Sequence, residues 1–339
     1  MRRDNYGSEG PVMIQSKLAL FVSNAQVIKR EFKWQIAPSK RMTAFLCAQN
    51  GKMADCRKLR ECYDLIRKNA GLFSRFRGNI GLYAAAVLSL SPDPQKLIKE
   101  ALKVYDLMRD ARFRTSDFLV VTALVIAERS AGADHANVIA RTKAFYDRMR
   151  SNLFFRTGPD DYIFAAMLAL TDLDVTYGTD KIKWLYDRLK DEFRWSKNSV
   201  HTLAQILVMG SSDDDTADRV LSIRDAFIKK RIKLHKTYTL PSLGVLSLLP
   251  AETDKIVRDV SNAMRYLRAQ KGFGRLSVSM PELLLYAVAG VANEYAQNLK
   301  DGILTATLST AIANIILAQQ MAMIAAVSGS AAAAAAGSS

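Results

Sequence analysis

Two kinds of hydrophobic segment alternate along the chain. In the first kind, apolar positions recur at helical spacing: Leu97, Ile98, Ala101, Val104, Tyr105 and Met108 share one stripe, while Lys96, Lys99, Lys103 and Asp106 fall elsewhere. That pattern predicts a half-buried amphipathic helix. The second kind has no polar face. Ile80 to Leu90, Phe118 to Ala127, Tyr162 to Leu170, Ser199 to Met209, Thr237 to Leu249 and Leu283 to Ala292 contain no Asp, Glu, Lys or Arg. A helix apolar on every side belongs inside a layered structure. Helix-start signals precede the second kind, at Thr115-Ser116-Asp117, Gly158-Pro159-Asp160-Asp161, Lys197-Asn198-Ser199 and Ser279-Met280-Pro281-Glu282, where side-chain oxygens cap free amides and proline suits the first turn. Ser91-Pro92-Asp93-Pro94 and Ser211-Ser212-Asp213-Asp214-Asp215 read as the loops that follow it.

The alternation repeats. Tyr63-Asp64, Tyr105-Asp106, Tyr146-Asp147 and Tyr186-Asp187 place tyrosines 42, 41 and 40 residues apart. From the last apolar position of the fourth match, Leu189, steps of 39 residues carry the register to Ile228 and Leu267, and a step back of 38 from Ile66 reaches Ile28. A second match, Glu31-Phe32-Lys33-Trp34 against Glu192-Phe193-Arg194-Trp195, supports the same register. The expected fold is all-α: about seven stacked antiparallel two-helix repeats of about 40 residues, from Ile14 to about Glu294, as an α-solenoid or an α/α ring. A single such hairpin cannot bury its apolar helix, so neighbours must stack on it. The corresponding organisation is a polar N-terminal arm (1–13), a helical-repeat domain (14–302), an uncharged helix packed on or closing that domain (303–328) and an Ala/Ser tail (329–339).

That uncharged helix follows Asp301, the last of the charged residues, and Ile303 to Val327 is long enough to span a bilayer. Its polar members Thr305, Thr307, Ser309, Thr310, Asn314, Gln319 and Gln320 argue otherwise. A bulky stripe of Leu304, Leu308, Ile312, Ile315, Ile316 and Met323, set opposite Ala306, Ser309 and Ala313, suits a helix packed inside protein. Membrane contact through 303–328 and self-association remain alternatives.

Charge widens the list of partners. Lys plus Arg number 48 against 33 Asp plus Glu, a formal net charge of +15, which favours acidic partners such as nucleic acid or an anionic membrane surface. Three cysteines, Cys47, Cys56 and Cys62, make no disulfide framework, and no apolar leader follows Met1-Arg2-Arg3-Asp4; a cytoplasmic location is expected. No cofactor or metal is expected either, since His135, His201 and His235 lie far apart and no cysteine pair has zinc-ligand spacing.

The motif order Phe32-Lys33-Trp34, Phe73-Ser74-Arg75-Phe76-Arg77-Gly78-Asn79, Leu170-Thr171-Asp172-Leu173-Asp174, Gln270-Lys271-Gly272-Phe273-Gly274 and Ala318-Gln319-Gln320-Met321-Ala322-Met323-Ile324-Ala325-Ala326 resembles an uncharacterised bacterial family, the domain of unknown function numbered four thousand and three. The resemblance runs from about Ser23 to the tail, with the Ala-Gln-Gln segment its most specific element. It implies a helical bacterial protein, cytoplasmic or near a membrane, and brings no activity or catalytic residue.

Candidate chemistry concentrates at the junction between the two helices of each unit. Basic and aromatic residues recur there: Lys33, Trp34, Arg75, Arg77, Arg112, Arg114, Arg156, Arg194, Trp195, Lys233, Lys236 and Arg275. Stacked repeats would align them into one edge, suited to phosphate attraction and base stacking. The competing reading makes each aromatic a plug for the open end of its hairpin, with the basic stem covering it. Acids at Asp160-Asp161, Asp172-Asp174 and Asp213-Asp215 read as loop caps, and no phosphate loop or serine elbow is present. The leading expectation is a non-catalytic binding or scaffold protein with a protein partner. Nucleic-acid binding, membrane association and an α/α-ring enzyme are the alternatives.

Overall fold

The computed structural model describes residues 10–72, 74–130, 135–151, 157–194, 196–210, 215–234, 239–297, 318 and 321. Among these residues every regular element is helical. The α-helices are α1 (Gly10–Glu31), α2 (Ala37–Gln49), α3 (Cys56–Asn69), α4 (Gly81–Leu90), α5 (Pro94–Asp110), α6 (Asp117–Arg129), α7 (His135–Ser151), α8 (Asp161–Ala169), α9 (Val175–Leu189), α10 (Lys197–Gly210), α11 (Thr216–Lys229), α12 (Pro241–Ser247), α13 (Thr253–Ala269) and α14 (Met280–Gln297). A single 3-10 turn, Arg75–Arg77, precedes α4. Since α1 starts at Gly10, the last four residues of the span read as an N-terminal arm are helix; Pro11 is no obstacle in a first turn.

Odd and even helices pair in sequence, from α1 with α2 to α13 with α14, and short connections make the partners antiparallel. The odd helices carry the amphipathic stripes. In α5, Leu97, Ile98, Ala101, Val104, Tyr105 and Met108 are buried, the residues the stripe predicts. The even helices are surrounded: Leu119–Ala127 in α6, Asp161–Ala169 in α8 and Glu282–Glu294 in α14 are buried without a break. Each even helix packs on the next even helix, and each odd one on the next odd one. Two of the start signals hold, with Ser116 accepting from Leu119 N–H and Ser279 from Glu282 N–H, and Asp174, read as a loop cap, accepts from Tyr177 N–H at the start of α9.

The recurring tyrosine has a packing role between successive pairs. Phe76, which plugs the α3–α4 junction, meets Tyr105 of α5 edge-on at 5.5 Å, and Phe113, at the α5–α6 junction, lies 5.9 Å from Tyr146 of α7. A second interaction recurs two units apart. Arg141 of α7 donates to the carbonyls of Ala169, Thr171 and Leu173 at 3.1, 3.0 and 2.9 Å. Arg219 of α11 donates at the same sequence offsets to Ser247, Leu249 and Ala251, at 2.7, 2.7 and 2.5 Å. Both forks satisfy the carbonyls that the end of an even helix leaves without partners.

The last helices pack on the first: α13 and α14 against α1, and α14 against α2. Phe21 of α1 sits 4.7 Å from Tyr286 and 5.1 Å from Phe273. At Gly290 a side chain would meet Leu18 at 2.7 Å, so glycine is what lets α14 approach α1. Arg41 of α2 binds Glu282 of α14 through both carboxylate oxygens, at 2.6 and 3.0 Å, and their side chains are only 13% and 7% exposed.

The register corrects one expectation. Ile28, Ile66, Met108, Met149, Leu189 and Leu267 are buried as equivalents, but Ile228 is 47% exposed and Phe227 occupies the core in its place. The sixth unit is therefore one residue out of step, because the stripe of α11 follows Val220, Ile223 and Phe227. Of the 303–328 segment, Ala318 and Met321 are described, and both are buried in the same core as the helices. The rest of that segment and the 329–339 tail lie outside the described residues.

Arg41→Ala should lower unfolding free energy in urea by about 3–5 kcal/mol, because Glu282 is left charged and buried. The double replacement Arg41→Met with Glu282→Leu should regain most of that loss. Equal losses in the single and double variants would show that shape at this joint matters and charge pairing does not.

Candidate functional site

The described junction residues lie at one end of the helix pairs, each on its own turn between an odd and an even helix. Local backbone geometry sorts them into inside and outside. After α5, Arg112 adopts a left-handed φ of 68° and Phe113 N–H bonds Met108 C=O at 3.1 Å, a helix-ending motif that turns the following apolar residue inward. Phe113 is buried and Arg112 and Arg114 are exposed. Arg231, with φ 59°, and Ile232 N–H on Phe227 C=O repeat the motif after α11.

The plug reading therefore accounts for the aromatics: Phe76, Phe113, Phe193 and Phe273 are buried, as is Leu234. Lys33, Arg75, Arg112, Arg114, Arg194, Lys233 and Arg275 are exposed. Arg77 is engaged, donating to the carbonyls of Arg67 and Ala70 at the end of α3. Arg75 lies 4.0 Å from Asp117. Among the described junction rings Phe32 is half-buried and Trp34 is 96% exposed. Arg156, Trp195 and Lys236 lie outside the described residues. Among the described residues the turns thus present separate exposed cations, with their phenylalanines buried or half-buried.

A buried polar cluster at the same end escapes sequence reading. Asp161, expected in a loop, is the first residue of α8 and is buried. Its Oδ2 accepts from Gly158 N–H at 2.9 Å, and its Oδ1 accepts from Gln205 Nε2 at 2.9 Å and lies 3.5 Å from His201 Nδ1. Burial pushes the Asp161 carboxyl up to about 6 and the His201 imidazole down to about 4. An acid beside an imidazole is an ingredient of proton transfer, but both groups are enclosed by packed helices, so their evident work is to lock the start of α8 to α10. The available signal was His201 and Gln205, four residues apart on an otherwise apolar helix.

Other polar groups are likewise engaged. His135 bridges Ser130 at 2.7 Å and Glu100 at 2.9 Å. Burial raises all three thiols, Cys47 to about 11, the opposite of an activated cysteine. An open depression of about 670 Å³ between Gly210, Asp215, Thr216 and Ser247–Glu252 contains Arg219, whose guanidinium is committed to its three carbonyls. Among the described residues no group of three or more His, Cys, Asp or Glu could hold a metal ion, and no helix is long and apolar enough to cross a membrane.

The chain belongs to the family described as protein of unknown function (DUF4003), whose model matches residues 24–321. It is 21% identical over 327 residues to the uncharacterized protein YeaA of Bacillus subtilis (strain 168), covering 94% of this chain and 96% of that one. No solved structure matches it.

The two buried groups of the polar cluster predict opposite pH slopes. Between about pH 4 and 6 the folded protein holds a proton on Asp161 that the unfolded chain has released, so this group makes stability fall as pH rises. His201 is neutral when folded and protonated when unfolded between about pH 4 and 6.5, so it makes stability rise. Urea midpoints measured from pH 4 to 7 should therefore climb more steeply in Asp161→Asn than in the wild type, and less steeply in His201→Gln. Parallel curves for all three proteins would mean that neither group is perturbed.

Proposed function

We propose that this chain is a non-catalytic helical-repeat binding or scaffold protein, with about seven two-helix units closed into a ring. Ala318 and Met321 belong to its packed core, and its basic rim receives an acidic partner. Closure is supported by the packing of α13 and α14 on α1 and α2 and by the Arg41–Glu282 pair. Repetition is supported by the matched Arg141 and Arg219 forks. The observation that carries the reading is the unbroken burial along most of α4, α6, α8, α12 and α14, together with Ala318 and Met321 in the same core. A ring with an open bore would expose one face of each inner helix. The interior is thus spent on stability and the outer surface is left for binding.

An α/α-ring enzyme would need an acid and base facing a cavity; Asp161 and His201 face packed helices instead. Free thiols at Cys47, Cys56 and Cys62 suit a reducing compartment such as a bacterial cytoplasm. Nucleic acid suits the rim charge, but the rings that would stack on bases, Phe76, Phe113 and Phe193, are buried.

Retention on heparin tests the rim. Neutralising Lys33, Arg75, Arg112, Arg114, Arg194 and Arg275 to Gln should lower the eluting salt well below that of a control with Arg57, Lys58, Lys96, Lys99, Lys103 and Arg258 neutralised on the odd helices. Equal elution of the two variants would show that the charge acts as a diffuse total and that the rim is no binding surface.

A further inference from the structure

Five of the nine exposed large apolar side chains among the described residues, Trp34, Ile36, Leu72, Leu276 and Met280, occupy odd-to-even turns or even-helix starts of the first, second and last helix pairs. Met53, Tyr177, Trp184 and Ile228 lie elsewhere, and the three most exposed of the nine, Leu276, Trp34 and Leu72, belong to the group on these three pairs. Those pairs are neighbours, since α1 packs on both α13 and α3. The Arg41–Glu282 pair brings the starts of α2 and α14 together, with Ile36 and Met280 beside it in sequence.

Three of these residues sit at the tips of closed turns. Leu276 is fully exposed on a turn in which Ser277 and Val278 N–H both bond Gly274 C=O at 3.0 Å, with buried Phe273 and Val278 as its feet. Trp34 tops a turn closed by Gln35 N–H on Phe32 C=O at 3.2 Å, and that turn is fastened by Gln35 Nε2 on Tyr63 Oη and by the Arg60 guanidinium over Phe32. Leu72 follows Gly71, whose carbonyl accepts from Ser74 N–H. Anchored feet hold apolar tips out in water, which packing of the chain itself does not require.

Charge near the tips is mostly positive. Lys29, Arg30, Lys33 and Lys40 lie within six residues of Trp34 along the chain, and Lys271 and Arg275 within five of Leu276. The nearby acids are already engaged, Glu31 by Arg60 and Glu282 by Arg41. The crowding registers on Lys40, whose ammonium is held below its usual range by partial burial and by Lys29 and Arg41.

We propose that this corner docks on an anionic lipid bilayer, with Trp34, Leu72 and Leu276 entering the interface while Lys29, Arg30, Lys33 and Arg275 meet lipid phosphates. Tips at the same end of three neighbouring pairs can touch a flat surface together. Tryptophan settles at the headgroup level, aliphatic side chains dip below it, and lysine or arginine gains from the surface potential. A nucleic acid has no use for exposed leucines, and a protein interface covers a continuous apolar core rather than single tips ringed by cations. The proposal deepens the rim reading by naming its acidic partner.

The test uses the full chain and vesicles of phosphatidylcholine with or without phosphatidylserine, followed by co-flotation and by tryptophan emission. The expected result is binding to the phosphatidylserine vesicles, weakened by salt. A tip variant, Trp34→Ser with Leu72→Ser and Leu276→Ser, should then lose about tenfold or more in affinity. This variant keeps every rim charge and should leave heparin at the wild-type salt, so failure on vesicles strikes this proposal and leaves the rim reading standing. Absence of binding at low salt, or equal vesicle binding by wild type and tip variant, overturns it. So does self-association, or binding of an RNA oligonucleotide, that the tip variant abolishes, since either would give the tips to a second copy or to nucleic acid.

Discussion

An α-helix without a polar face persists in water only when something covers it on every side. Six stretches of this chain have that character, and each is about as long as one helix. The cover must come from elements that do have a polar face, which are the amphipathic odd helices on the outside, and from the even helices themselves. Pairing along the sequence, stacking of pair on pair and packing of the last pair on the first all follow from that demand. No single hydrophobic contact stands out because the apolar area is spread over the whole even layer.

Such a layer leaves the ends of its helices with unpaired backbone groups, and the polar side chains present are spent largely there. Arg141 and Arg219 collect three carbonyls each, Arg77 caps α3, and Asp161 takes an amide from the turn that leads into α8. Acids that resemble catalytic candidates by composition, and arginines that resemble a binding edge, thus divide into groups consumed by the scaffold and groups left over. The recurring Tyr-Asp pair divides in the same way. Its tyrosine packs on the plug of the preceding pair, while Asp147 and Asp187 hold surface lysines, contacts that contribute little to stability.

What remains after this accounting is a set of exposed cations on the turns, and at one corner the most exposed of the apolar side chains. Elsewhere the surface carries single exposed apolar residues such as Met53 and Tyr177, cations on the outer helix faces, and acids paired across adjacent odd helices, as in Arg148 with Asp180 and Arg188 with Asp218. Membership of a family without an assigned role adds no chemistry to the rim.

Helix type, helix order and the pairing of an amphipathic helix with an apolar one were legible in the residues, because burial on one side or on all sides writes a periodic pattern into local sequence. The plugs were legible as a class, though not their inward turn at Phe113, which depends on the left-handed backbone at Arg112. The slip that exposes Ile228 and buries Phe227 follows the packing of α11 on its neighbours, and equal spacing could not anticipate it. Contacts between residues far apart in sequence, Arg41 with Glu282 and Gly290 beneath Leu18, left no local trace, and the His201 and Gln205 spacing did not say that Asp161 lies beside them. By itself the sequence determined which faces must be hidden. Which partners hide them, and therefore which charges and rings are left at the surface, was decided only by tertiary packing, because burial is a property of what surrounds a residue and not of the residue.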